Sequence, residues 1–81
     1  MVMSSIIVKA EWDTEALVWT ATSDDVPRLV AESSSMEKLR PKVMLMIEEL
    51  VELNNLSFGI DDIPVHFVAH TTERLKATAA A

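Results

Sequence analysis

The sequence predicts an α+β two-layer sandwich in the order β-β-β-α-β, one helix on a four-stranded sheet. Three observations predict it. Two alternating segments, one carrying Trp12 and the other Trp19, flank a short connection, Asp13 to Ala16. One long stretch, Met36 to Leu53, repeats its apolar residues at spacings of three and four. A last alternating segment, Val65 to His70, follows Pro64. A helix with one apolar stripe and a sheet with one apolar face bury each other, and two packed layers result.

In the first segment Ile6, Val8, Ala10 and Trp12 share one parity, and Ile7, Lys9 and Glu11 the other. This period of two marks a half-buried strand. The second strand is expected over Leu17 to Thr22, with Leu17, Trp19 and Ala21 on one face and Val18, Thr20 and Thr22 on the other. Its β-branched and aromatic residues suit a pleated surface. After the acidic turn Ser23-Asp24-Asp25-Val26-Pro27, Leu29 to Glu32 reads as a third strand, and the three form a meander.

Ser33-Ser34-Ser35 breaks the alternation, and Ser34 with Glu37 has capping-box spacing. The helix then runs to about Leu53, with Leu39, Val43, Met46, Ile47 and Leu50 on one stripe. Pro41 removes one backbone donor and crowds the preceding turn. Regular helix is therefore expected to begin near Pro41. Asn54, Asn55 and the single glycine, Gly59, end it. Glu73 to Ala81 reads as a tail, a short frayed helix.

Eighty-one residues make one domain, 49% apolar and without cysteine. Disulfides and thiolate metal sites are excluded, which fits a reducing compartment. Thirteen acidic against seven basic side chains give a net charge of −6. Binding phosphates would work against that field, so nucleic acid is disfavoured and a basic protein is the natural complement. No apolar run is long enough to span a bilayer, and the start has no signal-peptide pattern. The expectation is a cytoplasmic protein without a membrane association.

No catalytic constellation is visible, and neither a cofactor nor a metal is expected. His66 and His70 on a strand stand about 13 Å apart, too far to share one ion. No serine sits in a nucleophile elbow, and one glycine cannot build a phosphate loop. Asp24-Asp25 and Asp61-Asp62 flank prolines, where aspartate serves turns. Trp12 and Trp19 read as a cross-strand pair.

The helix charges are less ordinary. Lys38, Arg40 and Lys42 lie near its N-terminus and Glu48, Glu49 and Glu52 near its C-terminus. Both groups oppose the macrodipole. At about 100° per residue, Leu45 points away from the Val43 stripe and shares its face with Pro41, Glu48, Glu49 and Glu52. An apolar residue ringed by acids suggests a docking point for a basic partner. Ile7, Val18 and Val68 suggest a dimer surface on the open sheet face.

The pattern V-x-A-x-W-D-x-E-A-x-V-W-x-A-x-S-D-D-x-P-x-L, held by Val8 to Leu29, resembles the HicB-like antitoxin domain family, and within it a small branch in which that domain stands alone. Leu53-Asn54 and Asp62-Ile63-Pro64 are also similar. The resemblance covers residues 5 to 70 and implies a single HicB-like domain over 1–81, with 73–81 a tail. It implies a truncated ribonuclease-H-like fold, often compared with double-stranded-RNA-binding domains, and a homodimer. It implies binding of a small basic toxin that cleaves messenger RNA. The family often has glycine where Leu17 and Arg28 stand, so both turns depart from its pattern. Too little chain follows His70 for a DNA-binding domain, so autoregulatory DNA binding is not expected to carry over. Ribonuclease chemistry needs acids converging on two metals, and Val65 to His70 brings none.

These readings converge on a non-enzymatic protein-binding domain, with Leu45, Glu48, Glu49 and Glu52 meeting the partner. The alternative is a stand-alone nucleic-acid-binding domain of double-stranded-RNA-binding shape, using Lys38, Arg40, Lys42 and Arg28.

Overall fold

A computed structural model describes residues 4–56 and 62–77. Strands β1 (Ile6–Asp13), β2 (Val18–Thr22) and β3 (Val30–Ser33) precede helix α1 (Met36–Leu53), and β4 (Val65–His70) follows it. The sheet order is β3-β2-β1-β4. β1 pairs antiparallel with β2, and β2 with β3, while β4 returns parallel to β1. The β-β-β-α-β order and the α+β architecture are as the residue pattern predicts.

The inner face of the sheet has a simple logic. Ala10 pairs with Ala21, Ala21 with Ala31, and Ala10 with Ala69, so one row of alanines crosses all four strands. Ala10, Ala21 and Ala31 are buried. Small side chains let the helix approach, and Leu39, Val43 and Ile47 of α1 fill the space above. Ile6, Val8, Val26 and Leu29 complete the core. The helix lies over β2 and β3. Val65 and Phe67 on β4 are consequently only half-buried and line an open groove with Arg40, Pro41 and Met44 of α1.

Both connections within the meander depend on backbone geometry that a period cannot show. In the β1–β2 hairpin, Asp13 Oδ1 accepts from the N–H groups of Glu15 and Ala16, and Leu17 N–H donates to the Asp13 carbonyl at 2.8 Å. Leu17 has φ 57 and is exposed, so it is a turn residue and not the first inward residue of β2. The second strand starts at Val18 because the hairpin spends Leu17 on its bend. In the second turn, Leu29 N–H donates to the Val26 carbonyl, Pro27 follows Val26, and Arg28 has φ 71. Proline second and a positive φ third define a type II turn. Leu29 closes this turn, and β3 begins one residue later than the alternation suggests.

The cap of α1 also differs from expectation. Ser35, not Ser34, is the N-cap, and its Oγ accepts from Lys38 N–H at 3.2 Å. With Ser35 as cap, Glu37 falls in the first turn, where it favours the dipole but cannot close a capping box. Regular helix runs from Met36, ahead of Pro41. Proline frees only the Glu37 carbonyl, and both residues are exposed, so water satisfies it. At the other end Asn55 takes φ 52, Leu56 N–H reaches the Val51 carbonyl, and Asn55 N–H reaches that of Glu52. This is a Schellman ending with asparagine in place of glycine. Gly59 and Asp61 lie outside the described residues. The tail forms no helix over residues 71–77, all exposed, because none of its side chains finds an apolar surface.

Candidate functional site

The outer face of α1 is set by the same rotation that buries its inner face. Val43 is fully buried and Leu50 half-buried, while Leu45 is 65% exposed. Leu45, Glu48, Glu49 and Glu52 fall within an arc of about 100°, and all four are exposed. Among the described residues the one ion pair is Lys9–Asp24 at 3.7 Å, so no cation lies within pairing distance of the three glutamates. The last turn of α1 contains no basic residue. The acids therefore keep their repulsion with the helix C-terminus, and solvent alone compensates it.

Lys38 and Lys42 stand on this face too, at about 20° and 60° from Leu45. The outer face is thus basic in its first half and acidic in its second, with Leu45 between. Spacing alone carries this signal, although reading the lysines apart from the glutamates hides it. Lys42 Nζ donates to the Glu32 carbonyl of edge strand β3 at 2.9 Å, which blunts that edge. Arg40 turns to the opposite side and lines the β4 groove. Arg28 is held in the type II turn. The four cations expected to make one basic patch are therefore not brought together.

No described element packs on the open sheet face. Ile7 (47% exposed) and Val68 (52%) border one shallow hollow with Lys9, Glu11 and His70. Val18 is paired with Asp13, at the far end of β1 from Ile7. Six residues of strand separate them by about 20 Å. The structure brings Ile7 and Val68 together and leaves Val18 apart. His66 and His70 both project from this face and are exposed. Among the described residues, no group of three or more His, Asp or Glu side chains gathers into a metal-binding set.

The acidic turn has a structural task. Asp25 Oδ2 accepts from Ile7 N–H at 2.8 Å, and Ser23 Oγ donates to the Ile7 carbonyl at 2.6 Å. Ser23 Oγ also accepts from Asp25 N–H. Backbone pairing of β1 with β2 ends at Lys9 and Thr22. Beyond that point these two side chains hold Ile7, two residues before Lys9 on β1, and so prolong the ladder. Asp24 points to solvent and meets only Lys9. Trp12 and Trp19 are direct cross-strand partners in a T-shaped pair, ring centroids 5.4 Å apart. The edge of one ring packs against the face of the other across the hairpin instead of offering a stacking platform.

Among the described residues no helix is long and apolar enough to cross a membrane. No functionally curated protein matches the chain. Among solved structures, it is similar to the crystal structure of hypothetical protein TTHA1013 from the extremely thermophilic bacterium Thermus thermophilus. The identity is 38%, covering 90% of this chain and 99% of that one, with a TM-score of 0.69. The model of the domain of unknown function DUF1902 matches residues 5–79, and the chain belongs to that family.

Proposed function

We propose that the chain is a non-enzymatic protein-binding domain of the HicB-like antitoxin type. It works in the cytoplasm, is a homodimer when alone, and receives a small basic toxin-like protein on the outer face of α1. Leu45 supplies the apolar anchor, and Glu48, Glu49 and Glu52 supply the charge. The observation that carries this reading is an exposed leucine among three acids that no cation among the described residues pairs with. Such a patch speeds encounter with a basic surface, and the leucine gains by desolvation once water is excluded. The net charge of −6 favours the same partner.

The test is co-expression with the product of a small basic reading frame encoded beside this chain. That product should co-purify with the wild type and be lost from Leu45→Lys/Glu49→Lys, whose fold, followed by circular dichroism, stays intact because both positions are exposed. Equal retention by the variant would show the face to be inert. Steep, salt-dependent binding of duplex RNA would instead replace this reading with the nucleic-acid alternative.

A further inference from the structure

The charges of α1 are balanced about Leu45. Lys42 lies three residues before it and Glu49 four after it on the same flank, and Lys38 and Glu52 lie seven residues either side. In axial distance these are about 4.5 Å, about 6 Å and about 10 Å. All five belong to the outer face and are exposed. A face with that pattern is complementary to itself when two copies meet antiparallel. Lys38 then opposes Glu52 of the second copy, Lys42 opposes its Glu49 on the same flank, and the two Leu45 side chains meet on the axis.

We propose that a second copy of this chain occupies the outer face of α1, forming a two-fold dimer centred on Leu45, whenever no basic partner holds it. The proposal rests on the reading of this face as a docking surface and names a second occupant for it. It also accounts for charges that otherwise oppose the macrodipole. In the antiparallel pair each acidic C-terminal half lies beside a basic N-terminal half, so the penalty borne by the lone helix is offset across the interface. A dimer of this kind is isologous and closes on itself. Lys42 can serve both contacts, since its ammonium has three donors and the Glu32 carbonyl takes one.

Sedimentation equilibrium of the full chain tests this, using two reversal variants, Lys38→Glu/Lys42→Glu and Glu49→Lys/Glu52→Lys. Each places like charges opposite one another in its own dimer. The wild type should self-associate as concentration rises, and each variant alone should be weaker by about tenfold or more. An equimolar mixture of the two should recover association as a heterodimer. The fourfold swap, Lys38→Glu/Lys42→Glu/Glu49→Lys/Glu52→Lys, keeps the wild-type net charge and eases the dipole conflict. It should fold and dimerise even if a reversal variant folds poorly. The proposal is overturned by a wild type that stays monomeric to near-millimolar concentration, or by a dimer that both reversal variants retain. A dimer that Val68→Lys abolishes while the helix variants keep it would move the contact to the open sheet face, and that also overturns it. A chain monomeric alone that still co-purifies with a basic protein through Leu45 and Glu49 removes this inference and leaves the partner reading standing. A helix-mediated dimer without any such protein does the reverse.

Discussion

Replacing Arg28 by glycine should stabilise the fold. Arg28 is the third residue of the Val26–Leu29 turn and has φ 71, the region glycine enters without a Cβ penalty. An L-residue there costs about 1–2 kcal/mol. The turn cannot relax to avoid it, because Val26 and Leu29 on either side are buried in the core. Glycine adds unfolded-state freedom that takes back about 0.5–1 kcal/mol. The net gain is about 0.5–1 kcal/mol, or roughly 2–8 °C in melting temperature for a domain of this size. Arg28→Ala is the reference, since it removes the same charge and side chain but keeps the demand for positive φ. Urea denaturation followed by the fluorescence of Trp12 and Trp19 gives both midpoints. Arg28→Gly should exceed Arg28→Ala by the full φ cost less the glycine entropy, at an unchanged m-value. Equal midpoints for the two variants would refute the strain argument.

Three further outcomes follow from the fold and are read in the same denaturation assay. Ser35→Ala should cost about 1 kcal/mol, while Ser34→Ala leaves stability nearly unchanged, because only Ser35 caps α1. Ala21→Leu should destabilise by about 1–3 kcal/mol, since Ala21 is buried in mid-row beneath the helix. Asp25→Ala should cost about 1–3 kcal/mol by leaving Ile7 N–H without its carboxylate, whereas Asp24→Ala, which removes only an exposed ion pair, should cost almost nothing.

Periodicity makes the strands and the helix legible, because burial imposes a period of two on one and of 3.6 on the other. Ile6, Val8 and Ala10 point inward as their parity requires, and Leu39, Val43 and Ile47 follow the helical stripe. Strand register is not periodic information. The row Ala69–Ala10–Ala21–Ala31 emerges only once the turns set which residues stand opposite. Leu17 and Arg28 escape the residue pattern because neither side chain advertises positive φ. Asp25 is legible as a turn residue, but its bond to Ile7 spans the hairpin and depends on tertiary placement. On α1 the acids and Leu45 are visible as one face. The balance with Lys38 and Lys42 stays hidden while those charges are set against the helix dipole rather than against a second helix.

The claim that the outer face of α1 docks a second copy of the chain can be tested residue by residue by NMR. Isotope-labelled chain at low concentration is titrated with unlabelled chain, and amide shifts are mapped. The account predicts that changes concentrate on Lys38, Lys42, Leu45, Glu48, Glu49 and Glu52, with β1 and β4 undisturbed. Shifts centred on Ile7 and Val68, or none at any concentration, would contradict it.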